Sequence, residues 1–298
     1  MEVYDGLDFK MTNSAVSLGK FDGVHLGHRL LLHDILQYRQ WIPTVFTFGA
    51  WQAGGVTSEQ QIYVQKEKNS ILENLGIQRE IIFPFHEETK NMTAMAFIRK
   101  ILVDKLDAKL ICVGEDFRFG KGREGDVELL RREAEEYGYE LHVFPKLSKD
   151  GEVVSSTRIR KALLAGKLSQ VNRLLGKEYF ISGEVVHGNA LGRTLNMPTA
   201  NLIPFQGKLL PVFGVYATKV FVEGRVYSGV TNIGCKPTVG SEITTVETTL
   251  LDFQGDLYGK DMTVSFFEFI RPEKKFDGLE ALKVQMEMDK EKARELLA

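Results

Sequence analysis

The hydrophobic pattern of this chain changes period partway along, and no single repeating architecture accommodates both halves. Up to about residue 176, short apolar runs alternate with stretches whose apolar residues recur every three or four positions. Runs at 15–18, 44–48, 80–83, 110–113 and 141–144 read as strands. Helical patterns lie between them at 28–38 and 58–75, and beyond Thr93, where Phe97, Ile98, Ile101, Leu102 and Leu106 are apolar. Thr93 is a candidate N-cap, Asp126 is placed to cap a further helix, and Gly138 to end it. Such alternation predicts a parallel sheet covered on both faces, with ligands beyond the carboxyl ends of its strands. After residue 176 the periodicity shortens to that of strands, at 180–186, 216–222, 226–231, 246–253 and 262–269. Strands at this spacing predict a compact antiparallel barrel. Helical pieces at 156–164 and 169–175 precede the change, and an amphipathic helix over 279–297 closes the chain. The domain boundary is expected near Gly176-Lys177.

A length of 298 residues suits two domains, each able to bury its own core. The formal charge of −2 gives no global attraction to nucleic acid or anionic membranes, so phosphate binding must come from local groups. The two cysteines, Cys112 and Cys235, lack metal-ligand spacing and form no disulfide framework. Residues 1–5 show no basic, then apolar, leader pattern, and no run reaches the roughly 18 apolar residues of a membrane span. A cytoplasmic protein is expected, acting on small molecules as a monomer or weak homo-oligomer.

Two stretches have the composition of phosphate sites. The first is Gly19-Lys20-Phe21-Asp22-Gly23-Val24-His25-Leu26-Gly27-His28, where a strand turns into a helix. His25 and His28 stand three apart, on one helical face, beside unpaired N–H groups and the positive end of the helix dipole. Two imidazoles there can stabilise charge building on an α-phosphate. Ser155, Ser156 and Thr157 can cap a later helix, with Arg158 and Arg160 bringing charge to the same end. Asp116 follows the fourth strand and can accept from a base or ribose. Phe117 and Phe119 either stack on a ring or fill the core.

The second stretch runs from Gly183 through Gly188 and Gly192-Arg193 to Pro198-Thr199-Ala200-Asn201. Its glycines let backbone N–H groups turn onto phosphate. Thr199 and Asn201 offer two oxygens two residues apart, suited to Mg²⁺ shared with phosphates, or else form an ordinary strand end. Glu247 lies in an alternating run; turned inward it can take a proton from a hydroxyl, turned outward it is a solvated strand residue. Arg271 either contacts substrate or snorkels at the surface.

The segment from Gly19 to His28 resembles the H-x-G-H motif of nucleotidylyl transferases, and residues 154–160 their second nucleotide-binding motif. The segments 192–201, 229–234, 236–238, 247–259 and 271–276 resemble the riboflavin kinase domain. In series, the chain resembles the bacterial bifunctional riboflavin kinase/FMN adenylyltransferase family. That resemblance implies a Rossmann-like domain over 1–176 that makes FAD from FMN and ATP, and a six-stranded-type kinase barrel over 177–298 that makes FMN from riboflavin and ATP. It implies Glu247 as general base, Thr199 and Asn201 toward Mg²⁺, and His25 and His28 as transition-state stabilisers. It further implies nucleotide or flavin contacts from Gly19, Phe21, Asp22, Gly27, Asp116, Phe119, Ser156, Thr157, Arg158 and Arg160, and from Gly183, Gly188, Gly192, Arg193, Asn232 and Arg271. The chain departs from the family pattern after Phe48, where Gly49-Ala50-Trp51-Gln52 replaces a Pro-His-Pro element. Asn196-Met197 stands where Gly-Phe is usual, and Thr249 where a histidine is common. A kinase with a weakened adenylyltransferase half is therefore the alternative expectation.

Overall fold

The computed structural model describes residues 1–49, 60–186, 199–238 and 241–298. The chain divides into two compact units, Met1–Ser155 and Ser156–Ala298. The expected residues Gly188, Gly192 and Arg193 lie outside the described residues, as do Ala50, Trp51, Gln52, Asn196 and Met197.

In the first unit, β1 (Glu2–Asp5), β2 (Ser14–Leu18), α1 (Leu26–Leu36), β3 (Ile42–Phe48), α2 (Gln65–Leu75) and β4 (Arg79–Phe83) follow in order. The short α3 (Glu87–Lys90), α4 (Ala94–Phe97), β5 (Ala108–Gly114), α5 (Val127–Tyr137) and β6 (Glu140–Phe144) complete the layers, with a small hairpin of β7 (Ser148–Lys149) and β8 (Glu152–Val153) after them. The sheet runs β1-β4-β3-β2-β5-β6 with every pair parallel. All five residues of β2 are buried, as a strand covered on both faces requires. β3 and β4 are laid down on one side of β2 and β5 and β6 on the other, so the order reverses between β2 and β5. The carboxyl ends of these two strands border the crevice where such sheets take ligands.

The five strands expected in this half are present. β1 is additional, an edge strand with no buried residue and hence no apolar signal. The helix expected over 28–38 begins and ends two residues earlier, because His25 caps it. The helix expected over 58–75 is narrower among the described residues, starting at Gln65. Thr93 and Asp126 cap their helices through hydrogen bonds from Ala96 N and Leu129 N, and Gly138 ends α5 in the left-handed region. A π-helical turn, Ile98–Val103, continues α4. Phe46 is fully buried at the centre of the core, its ring 5.2–5.6 Å from those of Phe48, Phe83 and Phe97. Truncating such a residue to alanine costs about 3–5 kcal/mol.

The second unit begins with α6 (Ser156–Leu164) and α7 (Leu168–Leu175), which Gly176 ends at φ 71°. Then β9 (Tyr179–Val186), β10 (Thr199–Leu202), β11 (Gly214–Val222), β12 (Arg225–Thr238), β13 (Ser241–Leu250) and β14 (Asp261–Arg271) form a closed antiparallel barrel in the order β10-β13-β12-β11-β14-β9. Tyr216, Thr218, Val220, Thr231, Ile233, Val246, Thr248, Val264 and Phe266 alternate along their strands and are all fully buried, filling the barrel interior. Among them Thr218 Oγ1, Thr231 Oγ1 and Thr248 Oγ1 hydrogen-bond in series at 2.8 and 2.9 Å, so the three buried hydroxyls satisfy one another. The final helix, α8 (Leu279–Leu297), packs on the outer face, where Ala293 joins Ala217 and Leu251 with Val230, Ile270 and Leu297 beside them. The expected strands are present, and β10 is one more.

Candidate active sites

β2 feeds a turn with unusual backbone angles. Phe21, Gly23 and Val24 have φ of 49°, 84° and 41°. Glycine takes such angles freely, but a β-branched valine there is strained. Buried contacts hold the turn: Val24 N donates to Phe21 O, Arg29 Nε to Val24 O at 3.2 Å, and Ile62 N to Asp22 Oδ1 at 3.0 Å. The result is that His25 sits at the N-cap of α1 with Nδ1 accepting from His28 N at 3.3 Å. Nδ1 therefore carries no proton, and Nε2–H is the donor left to a ligand. The His25 and His28 rings stack at 3.6 Å and 12°, and the fully buried Phe21 ring lies 5.2 Å from His28. A side chain at Gly27 would sit 3.2 Å from the His25 ring, and one at Gly19 3.3 Å from the Phe21 ring. Phe21, Gly19 and Gly27 thus shape the pair from below.

Burial lowers the pKa of His25 to about 4, against an opposing backbone hydrogen bond. His28 is held well below the ordinary histidine value by burial, then by His25 and Lys68. Its Nδ1 is buried with no hydrogen-bond partner among the described residues. The pair is neutral at pH 7, and the N-terminus of α1 supplies the positive potential.

The loop after β5 is anchored to α4: Glu124 Oε1 accepts from Ala94 N at 2.8 Å, and Lys121 N donates to Met92 O. Any side chain at Gly120 would come within 2.7 Å of that backbone. Asp116 is exposed in this loop and pairs with Lys146 at 3.0 Å. Phe119, one of the expected ligand contacts, is a core ring: it is 3% exposed and packs against Phe97 and Phe117. Sequence reading passed over a buried charge cluster on α2 and β4. Glu67, Lys68 and Glu80 are all nearly inaccessible, and Lys68 Nζ lies 3.1 Å from Glu80 Oε1. The signal was available, since Lys68, Ile71, Leu72 and Leu75 share one helical stripe.

In the second unit, Ser156, Thr157, Arg158 and Arg160 lie on the first turns of α6, whose buried face is Ile159, Ala162 and Leu163. Gly183 is buried mid-strand in β9, opposite Met262. Thr199 and Asn201 share a face of β10; register pairs Asn201 with Glu247, and Glu247 with Asn232 on β12. Directly opposed residues share a sheet face, so Asn201, Glu247 and Asn232 form one row across three strands. Their neighbours Val246, Thr248 and Ile233 fill the interior, while Val230, two residues before Asn232, meets α8 outside. Glu247 therefore faces outward from the barrel wall, which corrects the inward orientation that would suit a base. Asn232 Nδ2 also donates to Glu273 Oε1 at 3.3 Å. Asn201 Nδ2 donates to Thr199 O at 3.4 Å, which leaves Oδ1 as its ligand oxygen. Arg271 is engaged with α8, its guanidinium bonding both oxygens of Asp289 at 2.6–3.1 Å.

The neutral oxygens of Thr199 and Asn201 fit Mg²⁺, which keeps waters and shares substrate phosphates rather than requiring a protein cage. No group of three or more His, Cys, Asp or Glu side chains forms a metal cage among the described residues.

Residues 9–158 match the FAD synthetase family and residues 175–297 the riboflavin kinase family. The bifunctional riboflavin kinase/FMN adenylyltransferase of Escherichia coli is 37% identical over 287 residues, covering 94% of this chain and 91% of its own. Those of Haemophilus influenzae and Listeria monocytogenes are 34% and 32% identical, covering 94% and 96% of this chain and 93% of their own. A crystal structure described as a macrolide-efflux protein from Streptococcus pneumoniae superposes with a TM-score of 0.87 at 28% identity, covering 99% of each chain.

Proposed function

Because the chain belongs to the family of bifunctional riboflavin kinase/FMN adenylyltransferases, we propose how its residues divide the two reactions. The enzyme phosphorylates riboflavin to FMN with ATP, then adenylylates FMN to FAD with release of pyrophosphate. In the first reaction Glu247 takes the proton of the ribityl 5′-hydroxyl as that oxygen attacks the γ-phosphorus of ATP and ADP leaves. Support comes from the row Asn201–Glu247–Asn232, which sets a carboxylate beside amides able to orient a hydroxyl and a phosphate. Thr199 and Asn201 would hold Mg²⁺, which when bound neutralises phosphate charge. Gly183, Gly188, Gly192, Arg193, Asn232 and Arg271 belong to the nucleotide or flavin contacts of this half, Arg271 through its hold on α8.

In the second reaction an FMN phosphate oxygen attacks the α-phosphorus of ATP, and the bond to pyrophosphate breaks. His25 and His28 donate to the phosphate oxygens as charge builds. The observation that carries this reading is the stacked imidazole pair at the N-terminus of α1, beside the point where the strand order reverses. Asp116, Ser156, Thr157, Arg158 and Arg160 are assigned to nucleotide or flavin binding. The boundary between the two activities is proposed at Gly176-Lys177, supported by the end of α7 and the start of the kinase match. Cytoplasmic localisation, small-molecule partners only and a monomer or weak homo-oligomer complete the proposal. The efflux description belongs to the Streptococcus protein; among the described residues of this chain no helix is long and apolar enough to cross a membrane.

The test is a time course with riboflavin, ATP and Mg²⁺, flavins being separated by chromatography. FMN that rises and then yields FAD is expected. Glu247→Gln should cut riboflavin phosphorylation about 10²-fold or more and leave FMN-to-FAD conversion intact. FMN that accumulates without FAD would favour the second reading, a weakened adenylyltransferase, which the segment after Gly49 motivates.

A further inference from the structure

The ion pair between Lys68 and Glu80 has no evident reason to be buried. Lys68 is 7% exposed and Glu80 fully inaccessible, and their charged atoms are 3.1 Å apart. Gln65 Nε2 steadies the other carboxylate oxygen at 2.9 Å. An apolar pair of similar volume would serve folding as well or better, so a buried ion pair calls for another account. Its position supplies one. Glu80 lies mid-sheet on β4, in the row Ser17–Val45–Glu80. α2 follows directly on residues 62–64, and Ile62 bonds Asp22 and packs against Gly23 in the turn that sets the histidines. The cation on α2 is thereby tied to the histidine turn by a short, bonded path.

We propose that Lys68, held by Glu80, is a positioning residue of the adenylyltransferase site: it sets a fixed positive charge beside His28, so that this imidazole meets a nucleotide phosphate as an uncharged N–H donor. The inference rests on the adenylyltransferase reading of the first unit. Three groups bear on the His28 ring. His25 faces it from the helix cap, Phe21 from the turn, and Lys68 acts from α2. Of the two that carry charge, His25 is itself neutral at pH 7. Lys68 is thus the permanent charge acting on the ring. A positive potential from a lysine and a helix end does not vary across the neutral range, whereas one from protonated histidines would. The phosphate site is charged without depending on pH.

The test compares the parent protein, Lys68→Arg, and the double exchange Lys68→Met with Glu80→Leu, which removes both charges and orphans neither. FMN-to-FAD rates are measured from pH 5 to 9, with riboflavin phosphorylation as an internal control and thermal melts for folding. The double variant should fold and phosphorylate riboflavin as the parent does. Its kcat for FAD formation should fall about 10–100-fold. The acid limb of its profile should move to higher pH, because His28 protonates more readily without the neighbouring cation. Lys68→Arg should restore most of the rate and the parent's limb. A double variant with the parent's rate and limb would overturn the inference, leaving the pair purely structural. Failure of the parent to make FAD would overturn the adenylyltransferase reading, and the inference with it.

Discussion

His25 shows how one buried side chain makes stability depend on pH. An unfolded chain takes up a proton on this residue near its ordinary 6.5, whereas the folded one resists until about 4. Above 6.5 both forms are neutral and the histidine contributes nothing to the pH dependence. Between 6.5 and 4 only the unfolded form gains the proton, so stability falls as pH drops, and the loss levels off below 4. At about 1.4 kcal/mol per unit of displacement the window costs on the order of 3 kcal/mol. His28 adds a loss of the same sign. Melts of the first unit from pH 7.5 to 4 should show this decline, and His25→Asn should flatten it; a decline of equal depth in the variant would assign it elsewhere. The identities of His25 and His28 were legible in the sequence because spacing places them on one helical face. Their stacking was not, because it follows from φ of 49° at Phe21 and 41° at Val24, angles no residue pattern announces.

At the level of elements, β14 and α8 are joined by one charged contact. Asp289 is 4% and Arg271 19% exposed at the side chain, and the guanidinium grips both carboxylate oxygens. Asp289→Ala should therefore destabilise the second unit by about 3 kcal/mol, since it leaves a partly buried cation unpaired. Arg271→Met with Asp289→Leu should recover most of that, as denaturant melts would show; no recovery would mean that bonds beyond the pair fasten the helix. The sequence offered Arg271 as a substrate contact or a surface group, and its third role needed a partner eighteen residues on. β10 was missed for a related reason. Four residues, Thr199–Leu202, carry too little alternation to read as a strand, and their pairing with β9 and β13 is distant in sequence. The outward direction of Glu247 was hidden likewise. Alternation alone fixes that Val246 and Glu247 face apart, and only the closed barrel decides which of them is inside.

Across the whole molecule, each reaction is assigned to residues drawn from one matched family. The catalytic groups of the kinase, Thr199, Asn201 and Glu247, all come from the barrel, and the stacked histidines from the parallel sheet. Glu247→Gln and His28→Ala should accordingly complement each other: neither alone turns riboflavin into FAD at the parent rate, but a mixture should do so after a lag that shortens with protein concentration. A mixture no better than the single variants would show that FMN does not leave the chain that made it. The division into an α/β half and a β half was the most legible feature, since it rests on periodicity over many residues. The closed ring of the barrel has a further consequence, during synthesis. β9 is bonded to β14, Tyr179 meeting Phe266, so the first strand of the ring waits for the last. Until β14 leaves the ribosome, β9 and β11 each lack a neighbour and present bare peptide edges to other nascent chains. The parallel sheet is complete well before then. A message cut short ahead of Asp261 would thus yield a finished first unit trailing an adhesive, unclosed sheet, a product for the cell's quality control rather than a smaller working enzyme.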